Sequence, residues 1–170
     1  MLKDIIKNKK AFTLIEIIVV LFIISLALLG IISLIVQSIR AQDYNKKVVI
    51  ANQLSQEGIE LIRQVRDNNW KNSVPFYTNL SDTIGLRNTY YMDYNDSLPN
   101  LLINSDDSVL QINANGFFVH SNLYDDSIFS RDIQVELVDT THLRVISTVY
   151  WTSLGISQDY ATETLLYDWY

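Results

Sequence analysis

Hydrophobic and polar residues follow three patterns along this chain, and each pattern predicts a different kind of element. Residues 17–36 are twenty almost continuously apolar positions, interrupted only by Ser25, Gly30 and Ser33. About twenty such residues form a helix long enough to cross roughly 30 Å of hydrocarbon. We therefore expect a membrane-spanning helix that begins near Phe12.

The helical pattern continues beyond the apolar run, but there it becomes amphipathic. Small and apolar residues recur at spacings of three and four, at Ala51, Leu54, Gly58, Ile62 and Val65. Charged residues occupy the other positions, which predicts a helix with one buried stripe. We expect this helix to end at Asp67-Asn68-Asn69, because such polar residues favour helix ends.

After Trp70 the apolar positions alternate with period two, which is typical of strands. Short strands are predicted at residues 74–77, 89–94, 109–113 and 117–120. Three longer ones are predicted at 129–139, 143–152 and 159–169, joined by Thr140-Thr141-His142 and by a turn at Gly155. The last three form an antiparallel meander in this interpretation.

Together the patterns predict an α+β protein. A long N-terminal α-helix with a hydrophobic first half would pack its second half against an antiparallel β-sheet head. The predicted parts are a basic leader (1–11), a hydrophobic transmembrane or assembly helix (12–36), an amphipathic helix (37–69) and a globular head (70–170).

The distribution of charge along the chain predicts how the helix is oriented in the membrane. Residues 1–11 carry a net charge of +3 and residues 70–170 a net charge of −9. The positive-inside rule keeps the leader in the cytoplasm and places the head outside. A secretory signal fits less well, because the apolar run exceeds the usual h-region and no A-x-A-like cleavage site follows it. The acidic head also disfavours nucleic-acid binding.

Glu16 is the strongest candidate for a functional residue, since its carboxylate lies at the edge of the apolar run. Thr13 and Glu16 have the spacing of a capping box, which would explain both without any further role. However, a carboxylate at the edge of hydrocarbon costs about 3 kcal/mol, and such groups commonly mark a function.

The surrounding residues resemble the N-terminal signature of type IV pilins and pseudopilins. These residues are Lys9-Lys10-Ala11-Phe12-Thr13-Leu14-Ile15-Glu16. The resemblance implies cleavage between Ala11 and Phe12 by a prepilin peptidase, N-methylation of Phe12, and assembly through Glu16 and Thr13. It departs from the family in one respect, because Gly usually precedes the cut and this chain has Ala11.

A second similarity covers part of the amphipathic helix and the last strands. Residues 51–70, with Gln56-Glu57-Gly58-Ile59-Glu60, are similar to minor pilins of the V type and to type II secretion pseudopilins of the I type. Residues 149–151 and 164–169 fit the closing strands of the same group. Major pilins often have a proline in the middle of the apolar segment and a C-terminal disulfide. This chain has Ser33 near the first position and no cysteine, which favours a minor over a major subunit.

The resemblance implies a structural subunit of a type IV pilus or a type II secretion-like filament. Its partners would be prepilin peptidase, other pilin or pseudopilin subunits and an inner-membrane assembly platform. It would cross the inner membrane once before it joins a cell-surface or periplasmic filament. The alternatives are an uncleaved single-pass receptor or sensor with a binding head, and a DNA-uptake competence pseudopilin.

No residues indicate an enzyme, and no cofactor or metal is expected. Asp93-Tyr94-Asn95-Asp96 resembles the opening of a calcium loop but lacks its glycine and its closing glutamate. His120 and His142 are isolated, which disfavours a zinc site.

Overall fold

The structure is a computed structural model that describes residues 12–103, 105–121, 123–153 and 155–169, with only the backbone at residues 105 and 106. The predicted leader, residues 1–11, lies outside the described residues. The chain divides into two units, residues 1–43 and residues 44–170, and each is described by itself. The division predicted from the sequence, at residues 36 and 69, stays a prediction.

One α-helix, α1, extends over Leu14–Lys71. The three polar residues expected to end it lie within its last two turns. The helix continues because Asn69 is buried there, and its side-chain amide donates to the carbonyls of Phe76 (3.1 Å) and Thr78 (2.8 Å). The chain leaves the helix at Ser73, which has a positive φ of 57°.

The rest of the second unit is a seven-stranded sheet in which all strand pairs are antiparallel. Its strands are β1 (Arg87–Tyr91), β2 (Asn100–Leu101), β3 (Val109–Ile112), β4 (Phe118–Val119), β5 (Asp126–Asp139), β6 (His142–Ser153) and β7 (Ile156–Tyr167). A short 3-10 helix at Ser105–Ser108 precedes β3.

Strand β5 is the centre of this sheet. It pairs with β6 along one edge, while β3 pairs with its first half and β1 with its second half along the other. Strands β2 and β4 extend β1 and β3, and β7 completes the β5–β6–β7 meander. Gly155 adopts a φ of 77° at the β6–β7 turn, which confirms the predicted turn there.

The strand predicted at residues 74–77 is wrong. Those residues form turns that fold back towards the end of α1, with Leu80 N–H donating to the Tyr77 carbonyl at 2.9 Å. Pro75 has no N–H to donate to a strand neighbour, and the Asn69 side chain takes the carbonyl of Phe76. The two-residue strand β2 was not predicted, because two residues carry no periodicity.

Within the second unit, α1 covers one face of the sheet with the predicted stripe. All five stripe residues are buried, which confirms that part of the pattern. Two apolar clusters form the core, one around Ala51, Leu54, Phe129 and Trp151, the other around Ile62, Val65, Ile133 and Val145. Between them lies a buried polar layer of Ser55, Arg131 and Ser147, in which Ser55 Oγ donates to the Ser147 carbonyl at 2.8 Å. The α+β prediction, a long N-terminal helix with an antiparallel sheet, is confirmed.

Candidate functional site

The apolar first part of α1 is exposed along its whole length. Its large hydrophobic side chains between residues 12 and 36 are 42–77% exposed. An 18-residue window in this helix reaches a mean hydropathy of 3.2, and none of that window is buried. Burying one aliphatic side chain is worth about 1.5–3 kcal/mol, so this segment leaves tens of kcal/mol of burial unrealised in water. A lipid or protein environment must therefore cover it.

The start of α1 is capped by Thr13. The backbone N–H of Glu16 donates to Thr13 Oγ1 at 3.3 Å and to the Thr13 carbonyl at 3.1 Å. This is one arm of a capping box. Among the described residues the Glu16 carboxylate makes neither the reciprocal bond to Thr13 nor an ion pair. Capping by Thr13 therefore leaves the carboxylate of Glu16 available for another contact.

Phe12 and Glu16 lie along the same side of this first turn. With Ile17, Val20 and Leu21 they line one shallow groove in which Glu16 is the charged residue. Phe12 itself is 75% exposed and precedes the helix. The structure thus brings three of the four predicted site residues (Phe12, Thr13 and Glu16) into one turn, and Ala11 lies outside the described residues.

The weak calcium candidate has another explanation in the structure. The carboxylate of Asp93 accepts the backbone N–H of His120 at 2.8 Å and contacts His120 Nδ1 at 2.6 Å. Asp96 Oδ2 instead accepts the backbone N–H of Asp93 at 3.0 Å. Both carboxylates therefore stabilise loops. The described part of the chain holds no group of three or more His, Cys, Asp or Glu residues that could bind a metal ion.

A buried arginine was missed by the reasoning from sequence. Arg131 is fully buried, and its guanidinium donates to the carbonyls of Leu54 (3.1 Å) and Met92 (2.6 Å). Its Nη1 also lies 3.4 Å from a carboxylate oxygen of Glu57. The alternation along β5 could have indicated it. Arg131 is two residues after the buried Phe129, so both side chains lie on the same side of the strand.

A second missed cluster attaches the end of β7 to the end of α1. The Arg66 guanidinium lies 4.4 Å from the ring centroid of Trp70 and 5.2 Å from that of Trp169. Trp70 Nε1 donates to Asp168 Oδ1 at 3.0 Å. Cation–π contacts contribute about 0.5–1 kcal/mol at exposed sites, and Trp169 is 73% exposed although Arg66 is buried. We interpret the cluster as a structural contact that holds residues 168 and 169 against α1.

The head also contains a cavity of about 370 Å³ between the loop after α1 and the β1–β2 edge. Its lining includes Asn79, Asp82, Asn88, Tyr90 and Leu101. Burial raises the pKa of the Tyr90 phenol, whose hydroxyl donates to the Leu80 carbonyl. The phenol is therefore committed to that bond.

Comparison with known proteins identifies the N-terminal segment. Residues 6–35 match the family model for the prokaryotic N-terminal methylation motif. The chain matches no curated protein and no solved structure. The match confirms the type IV pilin or pseudopilin type of prepilin signature, and it supports a pilin-like protein processed by prepilin peptidase and anchored in the membrane as a precursor.

Proposed function

We propose that this chain, with its prepilin signature, is a minor pilin or a pseudopilin, a structural subunit of a type IV pilus or a type II secretion-like filament. The observation that carries this is the exposed apolar part of α1, nearly all of which lies within the residues that match the methylation motif. Lipid covers this surface before assembly. Neighbouring helices cover it afterwards, so the subunit moves between two apolar environments.

The proposed processing creates the group that Glu16 requires. Hydrolysis of the peptide bond between Ala11 and Phe12 leaves an ammonium on Phe12, and N-methylation retains an amine that can carry a positive charge. In a bundle of such helices, the carboxylate of Glu16 pairs with the amine of Phe12 in a neighbouring subunit. Each charge is unfavourable alone in a medium of low dielectric constant, so the pair sets both attraction and stagger.

Thr13 has a supporting role in this proposal. Its Oγ1 accepts the Glu16 backbone N–H, which holds the first turn of α1 in helical geometry. An N-cap of this kind contributes about 0.5–2 kcal/mol to a helix terminus. The cap therefore stabilises the turn that presents the Glu16 carboxylate.

The test compares Glu16→Ala with Glu60→Ala, a matched loss of an exposed carboxylate further along α1. We expect Glu16→Ala to insert in the membrane normally and to enter purified filaments far less than the wild type. Glu60→Ala should enter them at the wild-type level. If Glu16→Ala is incorporated as well as Glu60→Ala, the charge-pair model is wrong.

The native N-terminus separates this proposal from its first alternative. Mass spectrometry of the protein from its own cells should find a chain that begins at N-methylated Phe12. An uncleaved receptor or sensor would retain residues 1–11. A DNA-uptake pseudopilin would instead show salt-dependent DNA binding by the protein in micelles, which the net charge of −9 over residues 70–170 opposes.

The assignment as a minor rather than a major subunit is a more specific part of the proposal. It is supported by the absence of cysteine and by Ser33 in the region where major subunits often have a proline. Quantitative proteomics of purified filaments should find this chain at a small fraction of the major subunit. The same experiment identifies the companion subunits and distinguishes a pilus from a secretion filament.

A further inference from the structure

One long strand edge in the head has no partner within the part of the chain that the structure describes. Strand β7 (Ile156–Tyr167) pairs with β6 over twelve consecutive residue pairs without a register shift, and it pairs with no other strand. In an edge strand about half of the N–H and C=O groups point away from the sheet. We call this row of backbone groups the open edge of β7.

Most of the devices that block such an edge are missing from β7. Natural edge strands are protected by proline, bulges, very short length, a covering helix or loop, or charged side chains, especially lysine. Of these, β7 carries only two acidic side chains, Asp159 and Glu163. The twelve residues of β7 contain no proline, glycine, lysine or arginine. By contrast, the edge strands β2 and β4 on the opposite side of the sheet have only two residues each.

Contacts with α1 hold the open edge in place. Asn52 Nδ2 donates to the Tyr160 hydroxyl at 2.5 Å, and Tyr44 OH donates to Gln158 Oε1 at 3.4 Å. These contacts fix the face of β7 that points towards the helix. A strand that is already held by such contacts loses little conformational freedom when another strand joins it.

Charge on the other face of β7 indicates the chemistry of a partner. Asp159 and Glu163 point to that face with Ala161 between them, and all three are exposed. Glu163 lies 3.2 Å from Arg144 Nε, whereas Asp159 makes no ion pair among the described residues. Opposite charges on directly paired strands stabilise the pair, so a basic residue opposite Asp159 is favoured.

We propose that the open edge of β7 binds an extended segment of a different polypeptide, with basic residues at alternating positions. A second copy of this chain fits poorly. This conclusion rests on the filament of the proposed function. Successive subunits of a filament are related by a screw rotation, so identical edges do not face each other. When two β7 strands pair antiparallel about Ala161, Asp159 also lies opposite Glu163, which is unfavourable.

The experiment uses the full chain in detergent micelles and hydrogen–deuterium exchange read by mass spectrometry. The probe is a capped nine-residue peptide with alternating lysine and threonine or valine. One comparison peptide has glutamate in place of lysine, and another has a central proline that removes a backbone donor. We expect the lysine peptide to slow exchange in β7 about tenfold, while the other two leave it unchanged.

A charge reversal on the protein completes the test. Asp159→Lys should weaken peptide binding about fivefold, whereas Glu60→Lys, the same change on the exposed face of α1, should not. The proposal is overturned if the lysine peptide at millimolar concentration does not protect β7, or if the proline peptide binds equally well. A stable dimer with β7 already protected would also overturn it. These readouts do not depend on filament incorporation, so the proposed function can fail or succeed separately.

Discussion

Substitution of Gly58 tests how closely α1 approaches the sheet. A Cβ at position 58 would lie 2.4 Å from Ser147 Oγ, 3.2 Å from Ser147 Cβ and 3.3 Å from Ile133 Cδ1. Carbon atoms in favourable contact are about 3.5–4.0 Å apart. Rotation of the Ser147 hydroxyl relieves the shortest contact, but its Cβ is fixed by the backbone. The helix and β6 must therefore separate by about 0.5 Å in Gly58→Ala.

Two opposing effects set the size of the change. Overpacking of this kind costs about 1–3 kcal/mol, while replacing a glycine by alanine inside a helix gains about 1 kcal/mol. We expect Gly58→Ala to lower the free energy of unfolding by about 1 kcal/mol. Gly58→Val brings two further methyl groups against Ser147 and Ile133, and should lower it by about 3 kcal/mol or more.

The assay is urea unfolding of the full chain in micelles, followed by tryptophan fluorescence, because buried Trp151 lies in the core of the second unit. Gly30→Ala is the matched control, since a Cβ there meets nothing within 4 Å. A double-mutant cycle isolates the contact, because Ser147→Gly removes both Ser147 atoms near position 58. In that background Gly58→Ala should become neutral or stabilising. The reasoning is refuted if Gly58→Ala raises the unfolding midpoint while Ser147 is present.

Four further substitutions test the head. Arg131→Met should lower the free energy of unfolding by about 1–3 kcal/mol because the Met92 carbonyl loses its donor. Glu57→Gln should lower it by less than about 1 kcal/mol. A lower urea midpoint for Glu57→Gln than for Arg131→Met would contradict this. Burial raises the pKa of the Asp132 carboxyl in the folded state. Between the ordinary pKa and this raised pKa the folded state binds the proton more tightly than the unfolded state does. The protein therefore loses stability as the pH rises through that interval. Asp132→Asn should therefore raise the melting temperature at pH 7 and lose this advantage in acid, whereas a constant gain at all pH values would show another cause. Trp169→Ala removes a ring from Arg66 and should cost about 0.5–1 kcal/mol, with faster hydrogen exchange at the end of β7; unchanged exchange would show that the tail is held otherwise.

Local patterns were sufficient for several elements. The apolar run and the stripe from Ala51 to Val65 identified α1, because burial on one side of a helix repeats every 3.6 residues. Alternation identified the long strands β5, β6 and β7 for the corresponding reason. The residues around Phe12 and Glu16 were also recognisable in the sequence, since that signature is a short contiguous segment.

Elements that depend on distant residues were not predicted. Residues 74–77 have strand composition, but hydrogen bonds from Asn69 hold the chain in turns. Arg131 looks like an ordinary surface charge, yet it reaches the carbonyl of Leu54, 77 positions earlier in the chain. No local period reports such a partner, because periodicity shows which side of an element is covered and not what covers it.

The sequence alone therefore determined the long helix, the strand-rich head and the prepilin signature. Each of these is specified by the order of residues within one segment. Only the tertiary structure decided that β1 and β3 share one edge of β5, that Gly58 touches Ser147 and that β7 keeps an open edge. Those features arise when segments far apart in the chain pack together, and the free energy of that packing belongs to pairs of segments and to neither segment alone.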